Sequence, residues 1–290
     1  MSRWQRVGLA IFGVILGLTM GFAVASAQYR IALAREPISV EVAGSFGASV
    51  AVIVNGNASF STDEGLADAF SSVDIAGTGR TIEEGGQVLA RVSTFYLRED
   101  GLTTETGSRY YTGATGSESL GYYAGYVIGE AEGSRIVLIE PETPRAGIIS
   151  VIDILPTVLP GEPGDLQAGG GLPGVSTDEA GRPVVVAGGG EVSALTSAAI
   201  IRGGGEQVEA GDTVVVNYLL ISVDGAVIEN TWDAPRPVVM PVDDVFDGLR
   251  DGLKDARVGS RLALGIPAEM AQGDADVAIV IDVLAKITDE

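Results

Sequence analysis

The side chains that could do acid–base chemistry in this 290-residue chain are carboxylates, tyrosines and two lysines, Lys254 and Lys286. The sequence contains no cysteine and no histidine. It therefore cannot form a disulfide, a thiolate nucleophile, a Cys/His zinc site or a Ser-His-Asp triad. This set of side chains favours a reaction that needs no strong nucleophile, and it predicts neither a cofactor nor a metal site.

The chain is strongly acidic, with a formal charge of −21 at pH 7. Such a surface repels the phosphates of nucleic acids, so no nucleic-acid partner is expected. The acidic excess is compatible with calcium or a basic partner. However, no Asp-x-Asp-x-Asp-Gly run of the EF-hand type occurs, which favours a solvated, self-repelling surface.

Residues 7–27 form an uncharged stretch of 21 positions that follows Arg3 and Arg6. A stretch of this length can span a bilayer as a helix. It ends in Ala-Ser-Ala before Gln28, which is typical of a signal cleavage site. Residues 1–27 therefore predict either a secretory signal peptide or a membrane anchor. Both alternatives place the rest of the chain outside the cytoplasm.

A Pro/Gly-rich segment divides the remainder of the chain in two. Residues 159–190 contain two Gly-Gly-Gly runs and several prolines, with one short β-like run at 183–186. Such a composition leaves little that can pack, so the segment predicts a linker. The linker separates a first domain at 37–158 from a second domain at 191–290.

The two predicted domains repeat one another. Four short landmarks recur in the same order at nearly constant spacing. The recurring pairs are 82–86 with 208–212, 100–101 with 224–225, 133–135 with 259–261, and 152–155 with 281–284. A self-similarity of this kind indicates two tandem copies of one domain.

Local patterns predict an α+β fold for each copy. Residues 214–223, 261–266 and 277–284 are rich in β-branched and apolar residues and predict strands. Residues 245–253 have apolar positions four apart and predict a short helix, as do residues 120–128 in the first copy. A curved antiparallel sheet with one short helix packed across it satisfies both patterns.

The order of these elements at residues 198–287 resembles the FKBP-type peptidyl-prolyl cis-trans isomerases. The resemblance rests on a long strand ending at Tyr218, the Asp224-Gly225 hairpin turn, the helix region and the Val-Gly-Ser turn behind it. It implies tandem FKBP-like domains that act on X-Pro bonds. The first copy, about 72–156, resembles the family weakly. It has Ser93 or Thr94 at the tyrosine position, so we predict a degenerate, non-catalytic copy.

The resemblance also implies a site. Its catalytic positions are Tyr218, Glu229, which replaces the family's Asp, and Phe246, whose backbone N–H is the expected substrate donor. The implied substrate-binding positions are Ile228, Val238, Val245, Leu249, Gln272 and Ile281. Most of these positions are aromatic in the family and aliphatic here, so weak activity is expected. Trp232 could restore aromatic volume in the pocket or serve only for packing.

Three functions follow from the sequence. The first is an extracytoplasmic isomerase that assists the folding of proline-containing exported polypeptides, held at the membrane if residues 1–27 remain uncleaved. The second is a non-catalytic binding or chaperone module with the same fold. The third is a surface adhesion protein built from tandem β-sandwiches, with two packed sheets and no helix in each copy.

Overall fold

The computed structural model describes residues 38–56, 58–115, 120–159, 165–234 and 236–287. The predicted N-terminal hydrophobic helix lies outside these ranges. Within them, no helix combines the length and the apolar content that crossing a bilayer requires.

The described chain is mostly sheet, with a few short helices. Its strands are β1 (Ser39–Ala43), β2 (Ala51–Asn55), β3 (Ser61–Thr62), β4 (Gly65–Leu66), β5 (Phe70–Ile75), β6 (Gln87–Leu97), β7 (Thr103–Ala114), β8 (Arg135–Pro141), β9 (Gly147–Leu155), β10 (Gly174–Thr177), β11 (Pro183–Ala187), β12 (Thr196–Ile201), β13 (Thr213–Ser222), β14 (Val227–Asn230), β15 (Val238–Pro241), β16 (Arg261–Ile266) and β17 (Val277–Ile287). Its α-helices are α1 (Ala124–Val127) and α2 (Asp247–Leu253), and 3₁₀ turns lie at Gly121–Tyr123, Thr231–Asp233, Val242–Asp244 and Ala268–Met270.

Two antiparallel sheets share one strand order. The first sheet runs β5-β8-β9-β6-β7, and the second runs β12-β16-β17-β13-β14. In the second sheet β15 also pairs with β13, so β14 and β15 together occupy the place of the long β7. The internal repeat of the sequence thus corresponds to a repeat of topology.

The strands predicted for the second copy are confirmed, with small shifts at their ends. The helix begins at Asp247, two residues later than predicted. Phe246 has φ −66° and ψ 157°, which is extended backbone, so Phe246 precedes the helix instead of joining it.

Each sheet buries one face beneath a short helix. In the second copy Leu249 and Leu253 of α2 pack with buried residues of β13, β16 and β17. In the first copy Val127 of α1 packs in the same way on the first sheet. The helix α2 lies close to the sheet because Gly248 has no side chain: a Cβ there would overlap Ile266. A helix on each sheet rules out the helix-free sandwich.

A two-stranded hairpin covers the opposite face of each sheet. The hairpin β1–β2 packs on the first sheet, where Val50 and Val52 join its outer core. The hairpin β10–β11 packs on the second, where Val175 is 1% exposed. This second hairpin lies inside the segment predicted as a bare linker. Val175 and Val185 pack on the sheet despite the Pro/Gly content, so much of the segment belongs to the outer layer of the second sheet.

The landmarks of the sequence repeat stabilise the fold in both copies. Arg135 and Asp153 form a buried pair with Nε to Oδ1 at 2.6 Å, and Arg261 and Asp282 form another at 2.6 Å. In each pair a second guanidinium nitrogen donates to the other carboxylate oxygen. Two hydrogen bonds per pair offset part of the cost of removing both charges from water.

Side chains also join the two copies. Leu89 and Leu155 of the first sheet share an apolar cluster with Val215 and Leu284 of the second. Beside that cluster, the Gln87 side chain donates hydrogen bonds to main-chain carbonyls of the turn at Thr231–Asp233 and just after it. The copies are therefore packed together through both apolar and polar contacts.

Candidate functional site

An apolar cluster packs between α2 and the sheet of the second copy. We infer a candidate ligand site, called the hollow, at its edge around Tyr218 and Phe246. Leu249 and Ile281 are buried in the cluster. Four other residues expected at the site are half-buried against the same cluster: Tyr218, Val238, Val245 and Phe246. The structure therefore gathers six of the expected site residues around one cluster, although they come from β13, β15, β17 and the start of α2.

Tyr218 is held firmly on β13. It lies opposite Ile281 in the strand register, and its backbone N–H donates to Thr231 Oγ1 at 2.7 Å. Burial raises the pKa of Tyr218 to about 12, and a hydrogen bond to the Glu229 carboxylate adds to this effect. The Tyr218 hydroxyl thus stays protonated at neutral pH, as an oriented donor at the edge of the hollow.

Two other expected residues lie outside the hollow. Ile228 is 59% exposed, and Gln272 is exposed in the loop after the Ala268–Met270 turn. Ile228 is the extra residue of a β-bulge, because Glu229 lies opposite Leu220 and Val227 lies opposite Ile221, so Ile228 has no partner in the ladder. Neither Ile228 nor Gln272 belongs to the apolar cluster around Leu249.

The backbone at the start of α2 offers a free donor. The Phe246 carbonyl accepts from the N–H groups of Leu249 and Arg250, each at 3.1 Å. The Phe246 N–H has no acceptor among the described residues. Such a group next to an apolar hollow can donate to the carbonyl of a bound ligand.

Sequence reasoning missed two methionines of the hollow. Met240 is buried in the cluster, and Met270 is half-buried against it. Met270 sits in a turn that Asp276 fixes, since its carboxylate accepts from the Ala268 and Val192 N–H groups at 2.9 Å each. These hydrogen bonds lower the pKa of Asp276. The signal in the sequence was weak, because methionine fills irregular gaps without a fixed pattern.

Trp232 packs away from the hollow. It is 4% exposed and belongs to the outer cluster with Val175 and Leu219, under the hairpin β10–β11. It therefore does not replace the aromatic volume that the hollow lacks.

The equivalent hollow of the first copy is differently filled. Asp153 and Asp282 are equivalent because each pairs with the repeated arginine, so Ile152 corresponds to Ile281. Val92 lies opposite Ile152 and Tyr218 lies opposite Ile281, so Val92 occupies the position of Tyr218. The expectation of Ser93 or Thr94 at this position was wrong by one or two residues of register. Tyr111 and Tyr123 pack against this cluster with their rings 5.6 Å apart.

Comparison with known proteins covers the second copy. Residues 204–284 match the family model described as FKBP-type peptidyl-prolyl cis-trans isomerase. The chain is 39% identical over 75 residues to the FKBP-type peptidyl-prolyl cis-trans isomerase FkpA of Escherichia coli, which covers 26% of this chain and 28% of FkpA. It is 32% identical over 85 residues to outer membrane protein MIP of Legionella longbeachae, which covers 29% of this chain and 36% of that protein. The chain thus spans about a third or less of these curated relatives.

Two solved structures are also similar. The crystal structure of Escherichia coli FkpA has a TM-score of 0.31 at 26% identity, covering 39% of this chain and 51% of that one. The structure of the three FKBP domains of wheat FKBP73 has a TM-score of 0.31 at 16% identity, covering 76% of this chain and 95% of that one.

Proposed function

Residues 204–284 belong to the FKBP-type peptidyl-prolyl cis-trans isomerase family, and from this premise we propose that the protein accelerates rotation about X-Pro bonds in polypeptides. The observation that carries the proposal is one apolar cluster: Leu249 and Ile281 are buried in it, and Tyr218 and Phe246 pack against it. Rotation about an X-Pro bond is slow, taking tens to hundreds of seconds without a catalyst. Lowering its barrier requires no covalent chemistry, in agreement with a chain that lacks histidine and cysteine.

In the proposed mechanism the proline ring enters the hollow and water is excluded from its amide. The planar amide is more polar than the twisted amide, so removing water disfavours the planar form. The Phe246 N–H holds a neighbouring carbonyl of the substrate. The Tyr218 hydroxyl, oriented by Glu229, marks the polar edge of the hollow and stays protonated because its pKa is about 12.

We propose that the rate enhancement is small. Leu249 and Ile281 provide an aliphatic floor in place of an aromatic one, and Ile228 is exposed to solvent. An aliphatic floor confines the proline ring less closely than flat rings do, so less binding energy depends on the twisted geometry.

The organisation of the whole chain is part of the proposal. Residues 37–158 would form a degenerate, non-catalytic FKBP-like domain, and residues 191–290 the isomerase domain. The uncharged stretch within residues 1–27 supports an extracytoplasmic location, secreted or membrane-anchored. The substrates would then be proline-containing exported polypeptides.

A second candidate is a non-catalytic binding module that holds unfolded polypeptides. The aliphatic character of the hollow favours it, because such a surface can bind proline without favouring the twisted amide. The two candidates differ in whether the full chain accelerates isomerisation or only binds.

The deciding experiment measures cis–trans isomerisation of a short X-Pro peptide in the presence of the full chain. The double variant Tyr218→Phe, Glu229→Ala should lower the catalysed rate about tenfold, which corresponds to one hydrogen bond. Tyr123→Phe, in the first copy, is the matched control and should leave the rate unchanged. A wild-type rate equal to the uncatalysed rate would reject catalysis and leave the binding module.

A further inference from the structure

A groove lies between two strand edges on the second copy, outside the apolar hollow. The strands are β11, which pairs with β10, and β14, which pairs with β13. Each has one edge without a strand partner among the described residues. The groove has a volume of about 310 Å³, and its lining includes Arg182, Val184, Val185, Leu219, Val227 and Trp232.

Two residues of the lining each have a donor nitrogen without an acceptor. Trp232 is 4% exposed, and its Nε1 has no hydrogen-bond partner in the described part of the chain. The same holds for Nε of Arg182. An unpaired buried donor is unfavourable, because it has lost its hydrogen bond to water. A ligand that carries acceptors into the groove would remove this cost.

The charges around the groove determine whether an anionic or a neutral acceptor group of a ligand is favoured there. Asp178 and Asp233 lie in its lining, and Asp233 Oδ1 is 3.8 Å from Arg182 Nη1. These two carboxylates disfavour an anionic ligand, while a neutral carbonyl oxygen carries no such penalty.

Two valines of the groove lining are partly exposed, although the lining as a whole is more polar than apolar. Val184 of β11 is 41% exposed, and Val227 of β14 is 48% exposed. Strand edges present unpaired N–H and C=O groups, which an extended polypeptide can complete. Exposed valines on both sides add apolar contact for its side chains.

We propose that this groove binds an extended polypeptide segment of apolar and uncharged or basic composition, whose main-chain carbonyl oxygens accept hydrogen bonds from Trp232 Nε1 and Arg182 Nε. Trp232 and Val185 belong to the outer cluster of the second sheet, on the face opposite α2. The groove is therefore separate from the hollow, and its ligand needs no proline. It would let the protein hold an unfolded chain at one face of the sheet while the hollow acts at the other.

The test measures the fluorescence anisotropy of a labelled peptide with capped ends, alternating valine and threonine, one lysine and no proline, added to the full chain. Val184→Lys should weaken binding about tenfold by placing a charge in the groove wall. Arg182→Met should weaken binding several-fold by deleting one donor. The matched control is Ile53→Lys on the hairpin of the first sheet, where Ile53 is 49% exposed. This control should bind like the wild type.

Other occupants give distinct results. Binding that Val184→Lys leaves unchanged would overturn the proposal. Displacement of the peptide by acetate or phosphate would assign the groove to free anions and reject it as a polypeptide site. Self-association of the chain that Val184→Lys abolishes would assign the groove to a second copy. Tyr218→Phe separates this proposal from the isomerase, since it should lower the isomerisation rate and leave proline-free peptide binding intact.

Discussion

The two sheets of this protein share a scaffold and differ beneath their helices. Both have the same strand order, the same buried arginine–aspartate pair and the same outer hairpin. Beneath α1 the first copy packs tyrosines, whereas beneath α2 the second has aliphatic residues and Tyr218. The residues that hold the sheet together have been retained in both copies, and those that would meet a ligand have diverged.

A second difference lies opposite β6 and β13. In the first copy β7 pairs with β6 along its full length. In the second copy the turn at Thr231–Asp233 interrupts the partner strand between β14 and β15. This interruption brings Thr231 next to the Tyr218 backbone. A pocket tyrosine therefore comes together with a break in the neighbouring strand, and the first copy has neither.

The largest expected effect tests the shared scaffold. Arg135→Met and Arg261→Met should each destabilise the protein by about 3–5 kcal/mol, because each leaves a carboxylate buried without its partner. Urea denaturation would measure the two losses. Pairing Arg261→Met with Asp282→Leu should recover much of the stability. A strong effect in one copy alone would show that the scaffolds are not energetically equivalent.

A smaller effect comes from the close approach at Gly77 and Gly203. A Cβ at Gly203 would overlap the Val258 carbonyl, and one at Gly77 would overlap the Glu132 carbonyl. Gly77→Ala and Gly203→Ala should each cost about 1–3 kcal/mol, measured by thermal unfolding. Gly204→Ala is the control, because no atom lies near its added methyl group. Equal losses for Gly203→Ala and Gly204→Ala would contradict the steric explanation.

A smaller effect again is expected at the contact between the copies. Gln87→Leu removes the donor to the Thr231 and Trp232 carbonyls and should cost about 1–2 kcal/mol. Gln207→Leu removes only a surface hydrogen bond to Asp255 and should change stability little. If the two copies of the Gln87→Leu variant unfold in separate steps, the contact at Gln87 also couples their unfolding in the wild type. An unchanged midpoint for Gln87→Leu would argue against any contribution.

The smallest effect concerns pH. The pKa of Tyr218 is raised from 10.0 to about 12, so the folded state favours the protonated hydroxyl. The resulting stability is complete below pH 10 and is lost as pH rises through about 12. Isomerase activity should therefore be insensitive to this group between about pH 6 and 9. Tyrosinate absorbance during a titration would test this. The pKa values of Tyr110, Tyr122 and Tyr123 are also raised, so the Tyr218→Phe reference should lose only one tyrosine from the late transition.

Much of the fold could be predicted from the sequence, because the internal repeat and the hydrophobic periodicity indicate the same strands and helices. The strands around Tyr218 and Arg261 follow from β-branched runs, and the short helix follows from apolar residues four apart. The buried arginine pairs explain why Gly-Ser-Arg recurs, although the sequence alone did not reveal that role. The β-like run predicted at 183–186 is β11, but its partner β10 was missed because the surrounding composition is that of a linker and only tertiary packing of Val175 indicates the hairpin.

The site was less predictable than the fold. Six expected residues lie at one apolar cluster, because the family resemblance identifies which strand and helix positions face each other. The position of Ile228 was harder to predict, because it is the extra residue of a β-bulge and the alternation of a regular strand does not apply there. Trp232 left two readings open, and the outer hairpin that covers it decides for packing.

The second hairpin has a practical consequence for anyone who dissects this protein. Arg261 donates to the Gly181 carbonyl at 2.9 Å as well as to Asp282. A fragment cut at residue 191 would keep all strands of the second sheet and lose that acceptor. The Arg261–Asp282 ion pair, which is buried in the intact chain, would then become accessible to water. Expression trials of the C-terminal part should start upstream of residue 165, so that the second sheet keeps the hairpin β10–β11 that covers its outer face.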